Sequence, residues 1–233
     1  MASTHDTAPH AETLAHAHPA FLHHHYDTPE QQFDSAKLGM WVFIVTEILM
    51  FGGLFVAYGI YRGQETHIFH LAHEHLNKVM GAVNTVVLLF SSLTAALAVR
   101  ESQLGRRNRT TVYLVTTILC ALVFLVVKYF EYAHKFHDGL LPGRYFTAHL
   151  HAAHGHEALP YRAHMFFALY FMMTGLHGLH VIVGMCVLVW VLKVNLAGKL
   201  SPEFFTPVEI GALYWHLVDL VWIYLFPLLY LVG

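Results

Sequence analysis

Charged residues are scarce in this 233-residue chain: Asp, Glu, Lys and Arg make up 12% of it, whereas hydrophobic residues make up 56%. Soluble domains carry about twice that share of charge, so the composition predicts a membrane protein. The formal net charge is only −2, which provides no basic surface for a nucleic acid and no polybasic patch for lipid headgroups. We therefore expect no nucleic-acid partner.

Cysteine is the second shortage. The two cysteines, Cys120 and Cys186, fall inside apolar stretches and form no Cys-x-x-Cys motif. A thiol in apolar surroundings behaves as a small hydrophobic side chain. The sequence therefore predicts neither a disulfide framework nor a zinc site based on cysteine.

Long apolar stretches are what the chain has in abundance. Five of them are long enough to cross a bilayer, at about residues 38–61, 79–99, 112–132, 165–192 and 208–232. They predict an all-α, polytopic membrane protein whose membrane domain, residues 37–233, is a bundle of five transmembrane helices. Residues 1–36 contain seven of the 21 histidines and little apolar sequence, so we expect this His-rich N-terminal tail to be disordered.

Basic residues predict the orientation of the bundle. The short loop between the second and third stretches contains Arg100, Arg106, Arg107 and Arg109. Short loops rich in Lys and Arg are retained in the cytoplasm. We therefore expect the N-terminus inside and, after five crossings, the C-terminus outside.

Glu47 interrupts the first apolar stretch near its middle, about 15 Å from the helix entrance at ~1.5 Å per residue. A charge at that depth costs ~3 kcal/mol or more, so a bilayer favours the uncharged acid. Glu47 is therefore predicted to be a buried protonatable carboxylate, either hydrogen-bonded within the bundle or part of a proton pathway. Five other polar residues of the spans are candidates for one network with it: Glu131, His177, His180, His216 and Asp219.

These residues allow two interpretations. The first is a buried proton-sharing network that joins the first, fourth and fifth spans. The second is a set of interhelical hydrogen bonds that only fixes the packing of the bundle. Residue types and spacing do not decide between them.

Histidines are abundant, but they lack the spacing of a metal site. A bis-histidine haem site in a bundle needs histidine pairs that face each other from two helices. The pair His164 and His177 has no counterpart on a second helix, and the tail histidines lack the fixed spacing of a structural zinc site. We expect no haem, copper or other metal in this chain, and no catalytic residue.

Five motifs, one in each span, resemble those of subunit III of haem–copper respiratory oxidases, the cytochrome c oxidase subunit 3 family. They are LGMWVFIVTEI (38–48), VNTVVLL (83–89), FEY (130–132, followed by Asp138 and Gly139), TGLHGLHV (174–181) and YWHLVDLVW (214–222). They occur in the family's order from about residue 37 to residue 233. Mitochondrial-type members have seven spans, so the resemblance is to the bacterial five-helix form.

The resemblance implies a non-catalytic accessory subunit of a proton-pumping terminal oxidase in the bacterial inner (cytoplasmic) membrane. Haem and copper are then expected in partner subunits I and II, whose complex couples oxygen reduction to proton translocation. Glu47 matches the carboxylate of the family that reacts with carbodiimides. The resemblance also implies contact with subunit I, support of proton uptake, membership of the wider oxidase complex or a supercomplex, and a structural phospholipid.

Several alternatives remain open. The stretch from Tyr132 to Gly143 favours the cytochrome c oxidase branch over a quinol oxidase or a nitric-oxide-reductase-associated homologue. A stand-alone transporter or metal-binding membrane protein is the rival from another class. A transporter would show inverted repeats and interrupted helices, and the sequence contains no internal repeat.

Overall fold

The computed structural model describes residues 22, 26–74, 76–142, 146–147 and 159–232. This part of the chain is helical and contains no β-strand, only two isolated bridges. The helices are α1 (Pro29–Gln64), α2 (Thr66–His73), α3 (Lys78–Gln103), α4 (Arg107–His137), α5 (His164–Leu196) and α6 (Thr206–Phe226). A 3₁₀ turn, Tyr161–Ala163, precedes α5, and a π-helical turn, Pro227–Leu231, continues α6.

The predicted five-span, all-α architecture is confirmed. Helices α1, α3, α4, α5 and α6 are each long and apolar enough to cross a membrane, whereas α2 is a single short helix between the first two spans. The spanning helices run past several of the predicted limits, because polar and charged residues continue the helical backbone beyond the apolar stretches.

The N-terminal boundary differs from the prediction. Helix α1 begins at Pro29 rather than near residue 37, so residues 29–36, expected to be disordered, are helical. The side chain of Thr28 accepts a hydrogen bond from the backbone N–H of Gln31 (3.2 Å), and proline suits the first helical position. Most of the His-rich tail lies outside the described residues, and its predicted disorder stays a prediction.

Polar contacts define the two ends of the bundle. At the first, here called the basic end, Lys37 pairs with Glu209 at 2.8 Å, joining the start of α1 to the start of α6. Arg107 at the start of α4 donates to the backbone oxygen of Leu196 at the end of α5. At the opposite end, Arg62 donates to the backbone oxygen of Val232 at 2.7 Å. The basic Arg106 loop thus lies at the end where α1 begins.

Helix α6 lies at the centre, in contact with α1, α3 and α5. Its residues Trp215 and Trp222 are fully buried. Close approach to α5 requires a glycine, because a Cβ added at Gly184 would lie 3.0 Å from the Trp215 ring. Helix α1 lies at the edge, packed on α5 and α6, and its outward residues are largely exposed.

Candidate functional site

Glu47 and His180 form a pair that joins α1 to α5. The Oε2 atom of Glu47 lies 2.9 Å from Nε2 of His180, and the two side chains are only 13% and 15% exposed. Phe51 presents its ring to the imidazole at a centroid distance of 5.4 Å. On α6, the Tyr214 hydroxyl donates to the backbone oxygen of His180 at 3.3 Å. The pair therefore lies, partly buried, at the junction of three helices.

The hydrogen bonds of His180 determine where its protons lie. Nδ1 lies 2.8 Å from the backbone oxygen of Leu176, and a carbonyl oxygen can only accept, so Nδ1 carries a proton and donates. One proton then remains for the bond between Nε2 and Glu47. Either a protonated Glu47 donates to a neutral imidazole, or an imidazolium donates to a carboxylate. The pair has no net charge in either form, so its burial leaves no uncompensated charge.

Glu131 lies in a different group, which we call the α4 cluster: Lys128, Glu131, Lys135, Tyr170 and Tyr230. Lys128 Nζ lies 2.9 Å from Glu131 Oε2, and Lys135 Nζ lies 3.3 Å from Glu131 Oε1. Both hydroxyls donate to Glu131 Oε1, at 2.9 Å from Tyr170 and 2.5 Å from Tyr230. The cluster ties α4 to α5 and to the C-terminal π-helical turn.

The protons of Lys128 are all used. Its ammonium group donates to Glu131 Oε2, to the Tyr170 hydroxyl (3.3 Å) and to the Tyr230 hydroxyl (2.9 Å). It also lies 4.8 Å from the centre of the Trp222 ring, a cation–π contact. A buried ammonium with three acceptors, one of which is a carboxylate, is well compensated. This geometry indicates that the cluster holds the helices together.

His216 bonds away from the other candidates. Its Nδ1 atom lies 2.7 Å from the hydroxyl of Ser92 on α3. The neighbouring Trp215 makes a parallel contact, its indole N–H donating to Ser91 at 3.0 Å. His216 therefore helps to hold α6 against α3.

His177 and Asp219 are buried, at 1% and 3% exposure, but they make no hydrogen bond to any residue that the structure describes. Asn84 on α3 shares this property at 0% exposure. Ser92 faces Asp219 and also contacts His216, and its hydroxyl has one proton to donate to either of them. The six predicted residues thus divide into one pair, one separate cluster, one α3 contact and two unpaired side chains, rather than a single hydrogen-bonded network.

Four members of the α4 cluster were not among the predicted site residues: Lys128, Lys135, Tyr170 and Tyr230. The positions 128, 131 and 135 share one face of a helix, and this spacing could have indicated a charged cluster on α4. The two tyrosines had no such signal, because their hydroxyls meet Glu131 only through the packing of distant helices. Within the described ranges, no three His, Cys, Asp or Glu residues are grouped closely enough to hold a metal ion.

Comparisons with known proteins agree with this architecture. Residues 140–233, which include α5 and α6, match the family model described as cytochrome c oxidase subunit III. The chain is 28% identical over 220 residues to the probable quinol oxidase subunit 3 of Staphylococcus aureus (strain USA300), covering 89% of this chain and 94% of that protein. It is 29% identical over 210 residues to the protein of the same name from Staphylococcus saprophyticus, covering 84% and 89%.

Proposed function

Because the chain belongs to the subunit III family of haem–copper oxidases, we propose that it is the non-catalytic accessory subunit of a proton-pumping terminal oxidase. Subunits I and II hold the haems and copper, and this chain packs against subunit I, stabilises it and sustains its proton uptake. The complex, alone or within a supercomplex, lies in the cytoplasmic membrane of a bacterium and reduces oxygen during aerobic respiration.

The Glu47–His180 pair is the observation that carries this proposal. It holds one exchangeable proton between two atoms 2.9 Å apart, inside helices long enough to cross a membrane. Its side chains keep 13–15% of their surface at the edge of the bundle, beside the outward face of α1. A protonatable unit at an edge that a neighbouring subunit can cover supports a role in proton handling next to the catalytic subunit.

Purification from native membranes tests the proposal. The chain, tagged at its C-terminus, should bring down haem-containing subunits, and the isolated complex should show haem absorption and consume oxygen. Deletion of the chain should leave an oxidase that loses activity during turnover faster than the intact complex. A chain that purifies alone and without haem under conditions that preserve other membrane complexes would overturn the proposal.

Cytochrome c and a quinol are the two candidate electron donors. The stretch from Tyr132 to Gly143 supports cytochrome c, and the names of the two staphylococcal relatives support a quinol. The purified complex should oxidise one of them at least ten times faster than the other under matched conditions. Oxygen consumption with reduced cytochrome c, compared with a water-soluble quinol, decides between them.

The orientation is part of the proposal, with the basic end of the bundle in the cytoplasm. Leu104 is exposed at that end, and Tyr161 is exposed at the other. In a chain with Cys120 and Cys186 replaced by Ala, Leu104→Cys should resist a membrane-impermeant thiol reagent in intact cells, and Tyr161→Cys should react. The reverse pattern would invert the orientation.

A phospholipid is the proposed non-protein ligand. A groove of about 550 Å³ runs between α4 and α5, lined by Phe124, Tyr132, Gly175, Gly178 and other largely apolar residues. A Cβ added at Gly178 would meet no atom within 4 Å, so this groove has room for an acyl chain. Gly178→Leu should reduce the lipid retained per complex in native mass spectrometry, and Gly59→Leu, on α1, should not.

A further inference from the structure

Three buried polar side chains lie on the three helices that meet at Trp222, and we call them the unpaired trio: Asn84, His177 and Asp219. The Trp222 ring lies 5.3 Å from the His177 ring, and its indole N–H donates to Thr85, the residue after Asn84, at 3.0 Å. Asp219 precedes Trp222 by one turn on the same face of α6. The trio therefore comes from three helices that each contain or contact Trp222.

Six polar atoms of the trio make no hydrogen bond within the part of the chain that the structure describes: Oδ1 and Nδ2 of Asn84, both ring nitrogens of His177 and both carboxyl oxygens of Asp219. Buried polar atoms almost always have partners, and an unpaired one bears its full desolvation penalty. A molecule small enough to enter the bundle can supply the hydrogen bonds that the described residues leave unmade.

Other protein subunits and lipid are unsuitable partners, because the three side chains are 0–3% exposed. His177 cannot reach outward, since its ring lies between those of Phe124 and Trp222, at 5.5 and 5.3 Å. Ser92 faces Asp219 and also contacts His216, and its hydroxyl has a single proton, so it can donate to at most one of the two carboxyl oxygens of Asp219. A ligand at this site must both donate and accept, because Asn84 and His177 offer both functions and Asp219 offers carboxyl oxygens.

We propose that the unpaired trio holds a small cluster of internal water molecules beside Trp222. Water donates twice and accepts twice, and buried waters typically make about three hydrogen bonds to groups left unpaired by the protein. The chemistry of the trio matches this requirement, with amide, imidazole and carboxyl groups on the three helices that meet at Trp222. The proposal does not depend on the identity of the oxidase or of its electron donor.

A double-substitution cycle on the purified full-length chain tests the shared ligand. Asn84→Leu and Asp219→Leu remove polar atoms from two helices that pack together, α3 and α6. If both side chains bind the same waters, each single change leaves the remaining polar groups with fewer hydrogen bonds. Each single change should therefore lower the melting temperature. The melting temperature of the double variant should then be about 2–4 °C higher than the value expected if the two single losses simply added, for a chain of this size.

Two further pairs of substitutions serve as controls for the double-substitution cycle. Thr94 and Thr117 hydrogen-bond directly at 2.8 Å, so Thr94→Val with Thr117→Val gives the coupling of a direct contact. Asn195 bonds to Thr111 near the basic end, so Asn195→Leu should combine additively with Asn84→Leu. If Asn84→Leu and Asp219→Leu each raise the melting temperature, or add without coupling, the proposal is overturned.

A density map of the unmodified protein tests for the water cluster even if a variant fails to fold. Electron cryo-microscopy of the intact complex, at a resolution that shows ordered waters elsewhere in the bundle, should reveal density between Asn84, His177 and Asp219. Side chains that turn to bond one another directly, or a site with no density while other buried waters are visible, would overturn the proposal.

Discussion

The α4 cluster and the Glu47–His180 pair both bury ionisable side chains, but they differ in how many protons and partners they contain. In the cluster, two ammonium groups and two hydroxyls converge on one carboxylate, and every proton of Lys128 has an acceptor. In the pair, one carboxyl and one imidazole share one proton. In the cluster the protons of Lys128 and of both hydroxyls are held in hydrogen bonds, whereas the pair has two forms of equal net charge. This difference indicates that the α4 cluster holds helices together, whereas the Glu47–His180 pair is able to take part in proton transfer.

The largest effect should follow from breaking the cluster at its centre. Glu131→Leu leaves Lys128 and Lys135 buried without their anion, which should cost about 3–5 kcal/mol. We expect loss of folded protein in membranes, measured by fluorescence-detected size exclusion of the tagged chain. The triple change Lys128→Met, Glu131→Leu and Lys135→Met should recover most of the folded protein, because all three charges are then absent. Equal yields for the single and the triple variant would contradict the view of the cluster as a compensated unit.

The pair should tolerate a neutral substitute and reject a cation. Glu47→Lys places an ammonium group against His180 with no anion nearby, at a cost of ~3 kcal/mol or more, and should block insertion or assembly with the catalytic subunit. Glu47→Gln should assemble, because its amide N–H can donate to Nε2 of His180. We expect Glu47→Gln to shorten the active lifetime of the oxidase during turnover.

Carbodiimide labelling sharpens this prediction. A hydrophobic carbodiimide should modify the unaltered chain, and Glu47→Gln should abolish the labelling. Asp219→Asn serves as the control and should label normally. Labelling that survives in Glu47→Gln would assign the reactive carboxyl to another acid, and an unchanged oxidase lifetime would leave Glu47 with a packing role only.

A smaller effect is expected from one hydroxyl of the cluster. Tyr230→Phe removes the 2.5 Å hydrogen bond to Glu131 and one of the acceptors of Lys128. Loss of a hydrogen bond to a charged group should cost about 1.5–3 kcal/mol, read as a lower melting temperature. Tyr58→Phe removes a 3.0 Å bond to the uncharged backbone oxygen of Leu228 and should cost less. The opposite order would mean that the charge of Glu131 does not strengthen its bonds.

The smallest effect should come from the ion pair at the basic end. Lys37 and Glu209 lie 2.8 Å apart, but their side chains are 39% and 16% exposed, and such pairs contribute about 0–1 kcal/mol. Glu209→Gln should therefore shift the melting temperature far less than any change in the cluster. A shift as large as that of Tyr230→Phe would show that this end of the bundle is better shielded from solvent than its exposure indicates.

Sequence reasoning succeeded where one property of one segment decides the outcome. The length of five apolar stretches was sufficient to predict five spanning helices. A carboxylic acid such as Glu47 is rare within an apolar span, and this predicted that it has a hydrogen-bond partner. Helix limits were harder, because the cap at Thr28 extends α1 through polar residues. Capping residues such as Thr28 can be recognised in a sequence. Residues 29–36 are too polar to be assigned to an apolar span, however, so this cap was not predicted.

The pairing of polar side chains could not be predicted in the same way. Glu47 and His180 are 133 positions apart, and their contact depends on how α1 leans against α5. His216 and Asp219 are neighbours on α6, yet one bonds to Ser92 and the other to no described residue. Which residue meets which is set by helix rotation, a quantity that requires the packing of all five spans at once.

The hydrogen bond from His180 to Leu176 has an electrical consequence. Since Nδ1 keeps its proton, the only movable proton travels about 1 Å between Nε2 and Glu47, a small fraction of a hydrocarbon core about 30 Å thick. Moving a full charge across the whole membrane is worth ~2.3 kcal/mol per 100 mV, so this displacement senses less than about 0.1 kcal/mol. The two forms of the pair should therefore have the same populations in an energised and a de-energised membrane. Only a change in the atoms around the pair, such as the contact with a neighbouring subunit, can shift its proton from one side to the other.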